Sequence, residues 1–212
     1  MKIALINGSP KVKDSNSGYI LSDLKGFLEG KCTMISEYYF RKPELSEEEM
    51  EQLIECDSIV LAFPLYVDGV PSHLLSCLCQ LEKFFIGVKK KEIRVYSLVN
   101  CGFYEGHQNK IALEILENWC EKAGIKWGQG IGIGAGEMLS AVKNVSVGHG
   151  PKKNLGEALK QLSNNILISA SGENIFITAN FPRFAYKLSG ELGWRQAIKG
   201  NGLSRKDLFL KR

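Results

Sequence analysis

Apolar positions along the chain fall into two alternating kinds of run. Lys2–Ile6 is a short continuous apolar stretch closed by Asn7, Gly8, Ser9 and Pro10, the pattern of a buried strand. From Ser17 to about Glu29 the residues Ile20, Leu21, Leu24, Phe27 and Leu28 recur at helical spacing. Thr33–Phe40 reads as a second strand, rich in aromatics. A helix follows over Ser46–Cys56, where Ser46 and Glu49 fit a capping box. Asp57–Phe63 is a third strand, Pro64–Gly69 a loop, and Pro71 opens a helix to about Phe85. Glu92–Val99 is a fourth strand and Asn100–Gly106 a loop. Gln108–Ala123 is a helix ended by Gly124, and Ile125–Ile133 is a fifth strand. A further helix runs from Lys152 to about Ser169. The tail, Glu173 to Arg212, holds Ile175–Thr178, Phe181-Pro182 and an aromatic-basic stretch through Trp194 and Arg195.

Strand and helix alternating about five times predict an α/β fold, a parallel sheet with helices on both faces. The strands are continuous apolar runs, as burial on both sides demands. No internal repeat and no low-complexity linker interrupts them.

Composition narrows the function. At 212 residues, 44% hydrophobic and 24% charged, the chain is an ordinary globular protein. A net charge of +4 is too mild for a nucleic-acid binder and unlike the acidic surface of a small electron carrier. No apolar run reaches membrane-spanning length, and the N-terminal run is too short for a secretory signal. The expected compartment is therefore the cytoplasm, with Cys32, Cys56, Cys77, Cys79, Cys101 and Cys120 as free thiols. Cys77 and Cys79, two apart in a helical segment, are expected to point to nearly opposite faces and to pack as small hydrophobes. No cysteine or histidine spacing supports a metal or cluster. Lys89-Lys90-Lys91 and Lys152-Lys153 read as solvated basic runs.

In open α/β sheets ligands sit beyond the carboxyl ends of the strands, which singles out three loops. The first, Asn7 to Gly18, follows a strand and opens a helix. Its hydroxyls, amide and helix N-terminus suit an anion, although Ser and Asn are also ordinary helix caps. It matches neither the triphosphate-binding nor the dinucleotide glycine pattern, so one terminal phosphate monoester is the better fit. The second, Pro64 to Pro71, is apolar and aromatic where loops are normally polar. Leu65, Tyr66 and Val67 could cover a flat ring or tuck onto a neighbouring subunit. The third, Asn100 to Gly106, offers Gly102 for close approach and Phe103 and Tyr104 as an aromatic surface. One phosphate site and two ring-gripping loops describe flavin mononucleotide (FMN).

The ordered set Gly8-Ser9-Pro10-Lys11, Asn16-Ser17, Pro64-Leu65-Tyr66 with Gly69 and Pro71, and Asn100-Cys101-Gly102-Phe103 with Glu105 resembles the flavodoxin-fold NAD(P)H-dependent FMN reductases. The resemblance covers roughly residues 1 to 140. It implies a flavodoxin-like five-stranded sheet over residues 1–170, bound FMN and a homodimer. Residues 171–212 would be a C-terminal extension packed on the same domain or on a dimer partner. By motif, Ser9, Lys11, Asn16, Ser17 and Gly18 would hold the phosphate, with Ser15 an equal candidate because the loop is longer than the family's. Pro64, Leu65, Tyr66, Val67, Asn100, Cys101, Gly102, Phe103 and Glu105 would hold the ring. The clustered cysteines of the iron–sulfur relatives are absent, so no cluster is expected.

Two signals remain. Gly128, Gly130, Gly132, Gly134 and Gly136 alternate through the fifth strand. They read as a strand and exit loop running close to a neighbour, with Gly134–Glu137 a possible border of the flavin. Cys101 beside the ring is either a reactive thiol or a small residue chosen for fit, and nothing near it in sequence lowers its pKa. The expected activity is an oxidoreductase passing electrons from NADPH or NADH through FMN to a small acceptor (a quinone, a nitro or azo compound, or free flavin). The alternative is an FMN-binding carrier reduced by a partner protein.

Overall fold

The structure is a computed structural model and describes residues 1–88, 91–204, 206 and 207. Lys89 and Lys90 of the first basic run lie outside the described residues. The chain divides into two compact units, Met1–Ala179 and Asn180–Arg212.

The first unit is built on a parallel sheet. Its strands are β1 (Lys2–Asn7), β2 (Met34–Tyr39), β3 (Ser58–Pro64), β4 (Arg94–Asn100), β5 (Lys126–Ile133) and β6 (Ile175–Ile177). The spatial order is β2-β1-β3-β4-β5-β6, so the sheet has six strands and not the expected five. The sixth is a three-residue edge strand, paired Ile131↔Ile175 to Ile133↔Ile177 and only half-buried. It is too short to show a period in sequence. The helices are α1 (Asn16–Leu28), α2 (Glu47–Ile54), α3 (Ser72–Gly87), α4 (Lys110–Lys122), the single turn α5 (Met138–Ala141) and α6 (Lys153–Leu167).

Alternate strand residues enter two separate cores, because successive side chains of a strand point to opposite faces. Ala4, Ile6, Ile59, Leu61 and Phe63 pack with Leu74, Leu78 and Leu81 of α3 and Leu116 and Trp119 of α4. Ile3, Leu5, Val60, Ala62 and Leu98 pack with Ile20 and Leu24 of α1 and Leu159 and Leu162 of α6. The polar groups of Trp119 and Tyr96 inside these layers find partners. The Trp119 indole N–H donates to the Leu78 carbonyl at 2.8 Å. The Tyr96 hydroxyl donates to the carbonyls of Asn165 and Ala170 at 3.0 and 2.9 Å, and burial pushes its pKa up to about 12. The Ser46–Glu49 capping box of α2 is formed in both directions.

Two expectations fail here. Lys152 is not solvated: it is buried, and its Nζ lies 2.6 Å from Asp23 Oδ2 on α1. A lysine can enter the interior when a carboxylate from a distant segment meets it, and removing one partner of a buried pair costs about 3 kcal/mol. Cys77 is buried but Cys79 is exposed, because residues two apart on α3 face different sides. All six cysteines are free thiols.

The second unit contains α7 (Arg183–Gly200), none of whose residues is buried. Residues 180–212 hold eight Lys/Arg against Glu191 and Asp207. The rest of the chain is therefore net acidic, although the whole is +4. No described helix is long and apolar enough to cross a membrane.

Candidate functional site

The strand order reverses between β1 and β3: after β2 the chain returns across β1 to lay β3 on its other side. Ligands favour the carboxyl edge at such a point. There β1 ends on Asn7, β3 on Pro64 and β4 on Asn100, with Pro64 opposite Asn100 in register.

The loop after β1 is fixed by its own hydrogen bonds. The Ser9 amide donates to Asn7 Oδ1 at 3.0 Å, and the Lys11 amide to Ser9 Oγ at 3.3 Å. Ser15 is the N-cap of α1. Its Oγ accepts from the Gly18 amide at 3.1 Å and from Asn7 Nδ2 at 3.0 Å. From below, His73 Nε2 lies 3.1 Å from the Gly8 carbonyl oxygen. The polar residues of this loop thus shape the backbone before any ligand arrives.

The loop after β3 is a tight hairpin. Tyr66 and Gly69 exchange both backbone hydrogen bonds, at 3.1 and 3.0 Å. Val67 and Asp68 between them have φ of 47° and 57°, the signature of a type I′ turn. A β-branched residue in this region is strained. Val67 nevertheless stands fully exposed at the tip.

Asn100, at the end of β4, joins the first two loops. Its Nδ2 donates to Ser17 Oγ at 2.9 Å and to the Phe63 carbonyl at 3.0 Å, while its carbonyl accepts from the Leu65 amide at 2.8 Å. The Cys101 thiol is buried. Burial pushes its pKa up, against smaller downward effects of Asn109 Nδ2 at 3.4 Å and the Phe103 backbone. It is a small residue fitted to its place and not an activated nucleophile.

The segment leaving β5 completes the edge. The Ala135 amide donates to the Phe103 carbonyl at 2.5 Å, and the Gly136 amide to the Cys101 carbonyl at 2.7 Å. A Cβ on Gly134 would overlap the Tyr104 carbonyl oxygen and lie 2.6 Å from the Gly106 amide nitrogen. The glycine alternation is therefore the close approach expected of it.

Together these segments enclose a cleft of about 150 Å³ lined by Ser9, Lys11, Asn16, Pro64, Leu65, Tyr66, Asn100, Cys101, Gly102 and Glu137. Nine of the ten were singled out in sequence for phosphate or ring. Ser15, Ser17, Gly18, Val67, Phe103 and Glu105 do not line it. Ser15 caps α1, Ser17 meets Asn100, and Gly18 borders a separate hollow between α1 and β2. Glu137 was absent from the site set. The glycine alternation leading to it was the signal that pointed there.

No family model matches this sequence, and no curated protein matches it. Solved structures do. An NADPH-quinone reductase from P. pentosaceus is 18% identical, with 78% of this chain and 99% of that one covered and a TM-score of 0.58. A WrbA-like flavodoxin from Agrobacterium tumefaciens is 13% identical over 79% and 96%, with a TM-score of 0.55. An NADH:FMN oxidoreductase in its apo form is 16% identical over 87% and 97%, with a TM-score of 0.58.

The fold is flavodoxin-like.

In this flavodoxin-like frame the chemistry of the cleft is divided. One end holds Ser9, the Lys11 ammonium and Asn16 at the N-terminus of α1, a set that attracts an anion. Asn16 Oδ1 is buried without a hydrogen-bond partner among the described residues, so the site has an acceptor awaiting a donor. The other end is Pro64, Leu65 and Tyr66, an apolar wall suited to a planar group.

Proposed function

We propose that the protein is an FMN-dependent NAD(P)H oxidoreductase acting on a small acceptor. The observation that carries this reading is the divided cleft, with its unsatisfied polar end and apolar end at the strand-order reversal. The residues fit the group. Ser9, Lys11 and the α1 N-terminus would hold the phosphate, and the orphaned Asn16 Oδ1 would accept from a ribityl hydroxyl. Pro64, Leu65 and Tyr66 would flank the ring, with Asn100, Cys101 and Gly102 on the β4 side. When bound, FMN supplies two-electron chemistry between reduced nicotinamide and a quinone, nitro or azo compound, or free flavin. The protein's own part is to bind and orient. Ser15, Ser17, Gly18, Val67, Phe103 and Glu105 belong to the same loops and would act by shaping them or by meeting a second molecule. The exposed Tyr66, Val67 and Phe103 support a homodimer closing over this edge. The names of the quinone reductase and NADH:FMN oxidoreductase neighbours agree with the reading. The net positive charge of the chain comes from residues 180–212 and not from the flavodoxin-like unit.

A second reading, an electron carrier in the cytoplasm reduced by a partner protein, is supported by a short-chain flavodoxin among the neighbours (14% identical, TM-score 0.55). The absorption spectrum with and without NADPH or NADH, in the absence of oxygen, separates them. A flavin spectrum bleached by nicotinamide is the expected result. A flavin that stays oxidised moves the protein to the carrier class, and failure to bind FMN at all removes both.

A further inference from the structure

Two charged side chains line the cleft, Lys11 and Glu137. Charged side chains elsewhere pair readily: Lys25 with Glu37 at 2.6 Å, Lys152 with Asp23 at 2.6 Å, Lys91 with Asp57 at 2.7 Å. Neither cleft charge has an ion-pair partner among the described residues. Lys11 stands with the phosphate-type residues of the first loop. Glu137 comes from the segment after β5, which no other cleft residue shares.

The backbone holds Glu137 in place. Ala135 has a φ of 53°, a left-handed conformation that non-glycine residues seldom adopt. The amides of Ala135 and Gly136 on either side of that bend are tied to the carbonyls of Phe103 and Cys101. Glu137 then caps α5, and the Met138 amide closes the turn onto the Ala135 carbonyl at 3.0 Å. Opposite, Gly102 leaves space for the carboxylate: a Cβ there would sit 3.1 Å from Glu137 Oε1.

We propose that Glu137 is the residue that sets the electrical polarity of the cleft, and through it the reduction potential of the bound flavin. This rests on the FMN reading. Lys11 and Glu137 put one positive and one negative side chain in the same cleft, so a molecule with a phosphate at one terminus and a neutral ring with N–H groups at the other has a preferred direction. Two-electron reduction of a flavin at neutral pH adds negative charge to the ring. A fixed carboxylate lining the same cleft disfavours that charge and keeps the flavin a stronger donor to its acceptor. In a half-solvated cleft, one nearby charge changes the balance of reduced and oxidised forms by about threefold to tenfold.

The test is a redox titration of the FMN-loaded full chain, wild type against Glu137→Gln, Glu137→Asp and the distant neutralisation Glu114→Gln. Glu137→Gln should raise the reduced-to-oxidised ratio at a fixed poise at least threefold, and Glu137→Asp should restore most of the wild-type value. By linkage, the same factor should separate the dissociation constants of reduced and oxidised FMN. Wild-type potential in FMN-loaded Glu137→Gln, or an equal shift in Glu114→Gln, overturns the inference while leaving the proposed function standing. A wild-type chain that binds no FMN removes the proposed function itself and the inference with it.

Discussion

The two ends of the cleft are made by opposite strategies. The first loop is polar and internally hydrogen-bonded, buried at its two ends and exposed between Pro10 and Asp14: Asn7, Ser9 and Ser15 spend their polar atoms on the backbone of Ser9, Lys11 and Gly18. The second is apolar and exposed, held by one pair of backbone hydrogen bonds across a turn that strains Val67. The polar end is ordered before a ligand comes, so binding there costs little conformational entropy. The apolar end stores strain and leaves Tyr66 and Val67 in water, a cost that a covering ring or neighbour would remove. Order is invested where direction matters, and adaptability is kept where a flat group must be covered.

Five measurements would break or sharpen this contrast. The largest effect belongs to neither loop but to the segment that supports them. Gly134→Val forces a side chain into the Tyr104 carbonyl, and should cost about 3 kcal/mol in urea denaturation. Asn100→Ala comes next, because it severs the two loops from each other. It strands Ser17 Oγ and the Phe63 carbonyl, for a loss of about 2 kcal/mol in stability together with weaker FMN binding. Lys11→Ala should act on binding alone. Losing one charge-assisted hydrogen bond weakens FMN about tenfold by fluorescence quenching, with the unfolding midpoint unchanged. An unfolding midpoint that falls with affinity would mean that Lys11 is structural and that the polar end is not preorganised.

At the apolar end, Val67→Gly should leave FMN affinity unaltered and raise stability by about 0.5 kcal/mol, relief of the positive φ slightly exceeding the entropy cost of glycine. A destabilised variant would show that the exposed valine is covered in solution. Smallest is a labelling difference. Iodoacetamide at neutral pH should modify Cys79 on the exposed side of α3 well before Cys101, whose burial raises its pKa. Rapid modification of Cys101 would mean that the cleft floor opens.

The sequence made the sheet legible because the central strands are buried on both faces, so that β1 and β3 appear as nearly continuous apolar runs. It hid β6, whose three residues lie at an edge with no pattern to read. The site was legible as loops but not as atoms. Ser15 reads in sequence as a phosphate candidate and as a helix cap alike, because a hydroxyl serves both, and only the fold shows the Gly18 and Asn7 contacts that make it the cap of α1. Val67 reads as an apolar residue beside Tyr66, and nothing in the sequence shows the type I′ turn that leaves it exposed at the tip. Lys152 looked solvated because its partner, Asp23, is far off in sequence. Local signals survive in one dimension, whereas pairings made by folding do not.

The support that Gly134–Glu137 gives the cleft also has a place in time. A ribosome delivers the three cleft loops within the first 106 residues, and at that point β4 has β3 on one side and an open edge on the other. The Cys101 and Phe103 carbonyls then have no Gly136 or Ala135 amide to meet, and the Glu137 charge does not yet exist. Only when β5 is threaded along β4 does the cleft gain its last wall. The nascent chain is therefore expected to pass most of its synthesis with a half-built site, and to become able to retain a ligand at the stage when the glycine-rich strand is laid down.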